Sequence, residues 1–433
     1  MSEIELVDDL DLLTREQIDA LRDANLARTV AAVTGSPRTA GRWPGLSHVR
    51  RPRDLPALEL MTSDDVRETC PPHTDDLVLD SVDSGVVVRS SGSAGRRKVH
   101  YHSWEFDDRV AFLGARGLRN TFTVPPRRWA NCFGAAELNG AFLFAHDVIR
   151  RLSGQAFPLG STLPVDELAK LVADHEIDTI LAYPPFGLEL LAAVADRPGG
   201  ARPRYFLYLG ERLTESRERF LADRLPRLEV RSLAYSTSEI GPIGYQCRHQ
   251  DPHTHHVHED AVIVEIVDQE TGEPLGEGEV GDIVVSALTD TGMPLFRYHV
   301  GDVGSLSGGG CRCGSRTRQL TLAGRTSNSV MIDTIDISRD SVLARLEEVT
   351  DPAECQFQIL RSPQGFSITL LVSSRVSPAL TTDGVLHRFQ QDWQLRRLFA
   401  LPTFRGFSVE RADPVRFART GSGKTPFFAE KSL

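Results

Sequence analysis

The chain has 433 residues, of which 40% are hydrophobic and 25% charged, with a formal net charge of −10. This balance suits a soluble globular protein of two or three domains with material for a large core, and the interspersed acidic excess argues against nucleic-acid binding, which calls for a basic face. No apolar run approaches the roughly 18–20 residues of a membrane span and the acidic start has no signal-peptide layout, so a cytoplasmic protein with no membrane partner is expected.

Apolar residues at near-helical spacing and a Thr-x-x-Gln start predict a helix over 12–33. A Pro/Arg-rich connector follows to about residue 56. From 80 to 235 short apolar strands alternate with helices: strands at 86–88, 179–182, 205–209 and 229–234, helices at 104–118, 166–175, 184–195 and 215–225. That rhythm implies a mostly parallel sheet with helices on both faces. Ligands of such sheets sit beyond the carboxyl ends of the strands, the position of the loops at 90–98, 183–187, 209–213 and 235–241. After residue 258, strands at 261–267 and 282–288 around a turn-rich segment predict an antiparallel β subdomain. Residues 327–433 read as a small α+β unit, with strands near 355–361 and 366–373 and a helix near 384–397. The expected class is α/β, with mostly parallel sheets flanked by helices, a β subdomain, and a C-terminal α+β domain.

The stretch Ser90-Ser91-Gly92-Ser93-Ala94-Gly95-Arg96-Arg97-Lys98 follows the first of these strands. Glycines let backbone amides approach a polyphosphate, hydroxyls donate hydrogen bonds and cations offset charge. The spacing is not that of a Walker loop. Four further motifs follow in order: Ala234-Tyr235-Ser236-Thr237-Ser238-Glu239, Arg297-Tyr298-His299-Val300-Gly301-Asp302, Gly324-Arg325-Thr326, and Arg419-Thr420-Gly421-Ser422-Gly423-Lys424. Together they resemble the adenylate-forming superfamily of acyl-CoA synthetases and adenylation domains. The phenylacetate-CoA ligase-like branch is the best match, with its phosphate loop SSGTTGxPK, aromatic motif YGSTE and ribose motif RYRTGD.

The resemblance implies ATP-dependent activation of a carboxylic acid as acyl-adenylate with release of pyrophosphate, then transfer to a thiol. It implies an ATP- and acid-binding domain over 1–323, with a β subdomain at about 245–320, and a mobile lid domain over 324–433. Nucleotide contacts fall on Ser90, Ser91, Gly92, Ser93, Gly95, Lys98, Glu211, Tyr235 (adenine), Ser236, Ser238, Asp302 (ribose) and Arg325. Glu239 matches the Mg²⁺-linked glutamate. Lys424 matches the catalytic lysine, whose cation lowers the barrier between two anions. By position in the loops, Phe133, Gly134, Tyr183, Phe186 and Gly210 are the candidate acid pocket, and aromatic lining suits an aryl acid. The partners implied are a small carboxylic acid and CoA or an acyl carrier protein, with a homodimer left open.

Cys247 precedes His249, His253, His255, His256 and His258, and Cys311-Arg312-Cys313 follows in a Gly-rich loop. Thiolates and imidazole suit a tetrahedral, structural Zn²⁺. Some phenylacetate-CoA ligase relatives carry such a site, and the matching set is Cys247, His256, Cys311 and Cys313, with His253 and His258 as alternatives. Cys70, Cys132 and Cys355 stand alone and read as reduced thiols.

The chain departs from the family pattern in places. Arg97 replaces a proline, Ser93-Ala94 replaces two threonines, and His299-Val300 replaces Arg-Thr. The stretch Ser327–Ile337 lacks the glycine that lines the thiol channel in the family. Adenylation is therefore better supported than transfer to CoA, and an amine or other nucleophile stands as an alternative acceptor. A non-catalytic nucleotide-binding relative is a second alternative. A zinc hydrolase is disfavoured, because His-Glu-x-x-His is missing.

Overall fold

The structure is a computed structural model and describes residues 4–79, 83–89, 98–136, 138–197, 202–210, 213, 215–268, 271–325, 329–332, 335–346, 348–349, 351–362, 365–419 and 425–432. These fall into two compact units. The first comprises residues 4–89, 98–210 and 225–325, and the second 213–224 and 329–432.

The first unit opens with helix α1 (Arg15–Gly35), started by a reciprocal capping box between Thr14 and Gln17. After α2 (Ser63–Glu68) come the hairpin strands β1 (Val86–Arg89) and β2 (Val99–His102), then helix α3 (Trp104–Leu118), capped by Ser103. Strand β3 (Arg128–Asn131) leads to α4 (Gly140–Arg151), capped by Asn139, and to β4 (Gln155–Pro158). Helix α5 (Val165–Asp174), β5 (Thr179–Ala182), α6 (Pro184–Asp196) and β6 (Tyr205–Tyr208) continue the alternation. Helix α7 (Glu215–Arg224) clusters with the second unit, and β7 (Glu229–Ser232) completes a five-stranded parallel sheet in the order β4-β3-β5-β6-β7.

Every residue of β5 and β6 is buried, as their continuous apolar character requires of strands covered on both faces. Ala115 and Leu118 of α3, Val148 and Ile149 of α4, and Leu181 and Leu207 of the sheet share one core. Gly187 lets α6 approach the sheet: a Cβ there would lie 2.3 Å from Phe206.

The larger sheet of this unit is antiparallel. It takes in β8 (Tyr235–Thr237), β9 (Gly241–Tyr245), β10 (Thr254–Val257), β11 (Val262–Val267), β12 (Val280–Ala287), β13 (Tyr298–Ser307) and β14 (Gln319–Arg325). Its order is β11-β12-β13-β14-β10-β9-β8. Leu26, Val30 and Val33 of α1 share a core with Ile283, Val285 and Tyr298, and Trp43 meets Phe296 edge-on at 5.3 Å.

The second unit holds the two-stranded sheet of β15 (Ser329–Ile332) and β16 (Ile335–Ser338), helix α8 (Arg339–Leu343), and β17 (Cys355–Ser362) and β18 (Gly365–Val372). Helices α9 (Thr382–Gln391) and α10 (Trp393–Phe399) and strands β19 (Phe404–Arg411) and β20 (Phe428–Ser432) follow. The main sheet runs β19-β18-β17-β20 over a core that includes Phe357, Phe366 and Phe389.

The α/β class is as expected, and three local readings change. The antiparallel sheet begins at Tyr235 rather than after residue 258. The helix expected near 384–397 is two, because extended Asp392 ends the first and its carboxylate accepts from Leu395 N at 3.1 Å in the second. Strands β2, β3 and β4 and helix α4 were not anticipated; the three strands are only four residues each and show little alternation. Among the described residues no helix is long and apolar enough to cross a membrane.

Candidate active site and a cysteine–histidine cluster

His100 and His102 alternate along β2 and so project from one face of the hairpin, and Lys98 immediately precedes that strand. They meet the segment that carries Glu239. The Lys98 ammonium pairs with the Glu239 carboxylate, and it donates to Tyr298 Oη at 2.6 Å and Ser63 Oγ at 3.0 Å. Tyr298 Oη donates in turn to Glu239 Oε1 at 2.9 Å. Ser63 reaches the cluster because Met61 bridges to β13: Met61 N donates to Arg297 O at 2.9 Å, and Met61 O accepts from His299 N at 2.8 Å. His102 Nε2 lies 2.8 Å from the Ser238 carbonyl oxygen and ties the hairpin to the same loop.

Burial opposes ionisation of Glu239, but His100 and Lys98 outweigh it and hold the carboxyl down at about 2. His100 is itself pushed down to about 4 by burial and is neutral at pH 7, so the lysine balances the carboxylate there. His100 Nε2 stands 3.6 Å from Glu239 Oε1, and neither of its buried ring nitrogens has a hydrogen-bond partner among the described residues.

Four residues away along each segment a second link forms. Tyr235 Oη donates to Asp302 Oδ2 at 2.9 Å. Asp302 pairs in the sheet with Arg325. Three strands separate β8 from β13 in the sheet order, yet the segments 235–239 and 298–302 are joined by two phenol–carboxylate bonds. The partners lie 67 and 59 residues apart in sequence. Ser236 and Ser238 sit between these links, both half-buried.

Phe133 is fully buried and meets Tyr183 edge-on at 4.9 Å, in one core with Leu209 and Ala234. Tyr183 Oη donates to Asn139 Oδ1 at 3.2 Å. Gly134 has open space where a Cβ would stand, and Gly210, at φ +82°, turns the chain out of β6. Phe186 is buried on α6. Ser90, Ser91, Gly92, Ser93, Gly95, Glu211 and Lys424 lie outside the described residues, as does the side chain of Arg325. Sequence reasoning missed His100, Tyr298 and Ser63 as members of this cluster. The Lys-x-His-x-His alternation, and the tyrosine inside the expected ribose motif, were the available signals.

A separate cluster forms on the antiparallel sheet. Ligand atoms of Cys247, His256, Cys311 and Cys313 lie within 4.8 Å of one another. Cys247 Sγ is 3.6 Å from Cys311 Sγ, and Cys313 Sγ is 3.3 Å from His256 Nε2. His256 Nδ1 lies 3.0 Å from Thr317 Oγ1, which fixes the ring. Burial, and then the neighbouring thiols, push the Cys247 thiol up. Of the alternatives, His258 Nδ1 instead lies 2.8 Å from Arg116, which grips Asp260. His253 offers its backbone carbonyl to His255.

No family model matches the chain. Its sequence is similar to the phenylacetate-coenzyme A ligase of Thermus thermophilus, with 28% identity over 79% of this chain and 78% of that one. The Escherichia coli phenylacetate-coenzyme A ligase is 26% identical over 66% of this chain and 64% of its own length. In fold it is similar to 2-hydroxyisobutyryl-CoA ligase in the postadenylation state with 2-HIB-AMP, with a TM-score of 0.72, 16% identity, and 98% of this chain and 91% of that one covered. The chain is thus similar in sequence to phenylacetate-coenzyme A ligases and shares the fold of an acyl-CoA ligase. ATP-bound MatB from Rhodopseudomonas palustris shares this fold less fully, at a TM-score of 0.51 and 17% identity over 78% of this chain and 66% of that one. The two phenol–carboxylate links join the segments 235–239 and 298–302, the two stretches whose sequence resembles the aromatic and ribose motifs.

Proposed function

We propose that the protein is an ATP-dependent acid–thiol ligase. A carboxylate, best an aryl acid, attacks the α-phosphorus of ATP and the bond to pyrophosphate breaks; the sulfur of CoA then attacks the acyl carbon of the resulting adenylate, losing its proton, and the acyl–phosphate bond breaks to release AMP. The observation that carries this reading is the pair of links, Tyr235 to Asp302 and Tyr298 to Glu239, which bring an aromatic ring and two carboxylates to facing segments. Asp302 accepts from the ribose hydroxyls and Tyr235 faces the adenine. The loop Ser90, Ser91, Gly92, Ser93 and Gly95 grips the phosphates with Lys98, while Ser236, Ser238, Glu211 and Arg325 add nucleotide contacts. Phe133, Gly134, Tyr183, Phe186 and Gly210 contact the acid, and Lys424 sits between the two anions as they react.

Glu239 fits Mg²⁺ on charge, being ionised and buried, since that ion takes one or two carboxylates plus phosphate oxygens. When bound, the ion neutralises charge on the phosphates. Cys247, His256, Cys311 and Cys313 fit Zn²⁺. Bond lengths of about 2.3 Å to sulfur and about 2.0 Å to nitrogen in a tetrahedron space neighbouring ligands roughly 3.5–3.8 Å apart, close to the 3.6 and 3.3 Å between the paired ligands here. With four protein ligands the site has no place for water, so its role is structural.

Pyrophosphate release measured with a panel of aryl and alkyl acids, with CoA and with an amine in parallel arms, tests the assignment. Acid-dependent pyrophosphate and a CoA thioester are expected. ATP binding with no pyrophosphate from any acid would leave a nucleotide-binding protein instead.

A further inference from the structure

Glu239 is 6% exposed, and among the described residues the side chains facing it include Lys98, His100 and Tyr298, with Ser63 behind the lysine. The thiol of Cys70 is turned away, donating to Val99 O at 3.3 Å. Of these groups the Lys98 ammonium is the one that forms an ion pair with the carboxylate at hydrogen-bond distance, while Tyr298 and Ser63 contribute only hydroxyls. A buried carboxylate without a counter-charge is heavily penalised, and here Lys98 supplies that counter-charge directly. A divalent cation added to Glu239 with the lysine still in place would put three positive charges against one negative in a water-poor site. The ammonium and the divalent cation therefore exclude one another at this carboxylate.

We infer that Lys98 is the resident counter-cation of Glu239 in the nucleotide-free protein, that it keeps divalent metal from binding there alone, and that it passes to the triphosphate when nucleotide delivers the metal. This rests on the reading of Glu239 as the metal carboxylate. Lys98 suits the transfer. It is a compact charge on a flexible four-carbon stem, and it immediately precedes β2, next to the 90–97 stretch expected to hold the phosphates. Metal binding and nucleotide binding become obligately coupled: the triphosphate offers the lysine a new partner at the moment the metal takes its old one. Lys98 in this role is a positioning residue, and its effect shows in binding without any turnover.

The experiment is Mn²⁺ binding to the full-length protein, followed by electron paramagnetic resonance and by thermal shift, with and without ATP. Wild type is expected to bind Mn·ATP but to show little response to Mn²⁺ alone. Lys98→Met should bind Mn²⁺ alone at least tenfold more tightly than wild type, whereas Lys98→Arg, which keeps the charge, should not. The double variant Lys98→Met/Glu239→Gln removes both charges, so it should fold yet lose the gain. If Lys98→Met binds Mn²⁺ no better than wild type while Glu239→Gln still weakens Mn·ATP, the inference fails and the metal role of Glu239 survives. If Glu239→Gln leaves Mn·ATP binding unchanged, both fail. Tight binding of Mn²⁺ alone to wild type overturns the inference without any variant.

Discussion

Tyr298 shows how much one hydroxyl can organise. It accepts from Lys98 and donates to Glu239, so the phenol completes the balance of a buried ion pair. Removing it in Tyr298→Phe should cost about 1.5–3 kcal/mol, the range for hydrogen bonds to charged groups, read as a lower urea midpoint at pH 7. A midpoint equal to wild type would mean that the bond contributes nothing. The buried histidines set a pH dependence. Burial lowers His100 to about 4 and His255 to about 3, from an ordinary 6.5. Above pH 6.5 both states are neutral and stability is flat. Below it the unfolded chain takes protons that the folded chain refuses, so stability falls until pH passes the folded values. Each histidine contributes up to about 1.4 kcal/mol per pH unit in that window. Glu239 adds a lower window: its stabilisation is complete above 4.5 and is lost as pH falls toward about 2. Urea titrations from pH 7.5 to 4 should show decline beginning near 6.5, with a shallower slope for His255→Phe; an unchanged slope in that variant would refute the assignment.

At the scale of elements, the cysteine–histidine cluster closes one end of the antiparallel sheet. It joins the segment after β9, strand β10 and the β13–β14 connection. With zinc bound, chelation or Cys311→Ser should lower the melting temperature by several degrees, while pyrophosphate release assayed well below that temperature stays near wild type. Loss of turnover without loss of stability would point to chemistry at the cluster. Helix α1 depends on its start: Thr14→Ala removes half of a capping box and should cost about 1 kcal/mol, checked by denaturant unfolding. Elements such as α1, α3, α6 and β5 were legible because caps, apolar spacing and proline at helix starts act within a few residues. Helix α4 was not, although Asn139 caps it. The break at Asp392 was also missed, because one carboxylate capping the next helix leaves the apolar spacing intact.

At the scale of the molecule, the proposed chemistry needs a cation from the second unit's sequence. Lys424→Ala should reduce pyrophosphate release by roughly 10²–10³-fold, the scale seen when a group that stabilises developing charge is removed, with ATP affinity nearly unchanged. Equal losses in both would assign Lys424 to ground-state binding. The α/β class, the motif order and the four cysteine and histidine residues that cluster were all legible in the linear chain. Each depends on residue type and spacing, or on a resemblance carried by short motifs. What folding alone decided is which motifs face one another. Tyr235 meets Asp302 and Tyr298 meets Glu239 across three intervening strands, and His256 rather than His253 or His258 turns to the thiols. Charge pairing and burial belong to the space between distant segments. No local window of sequence contains the neighbour that makes Glu239 an ionised, lysine-paired carboxylate.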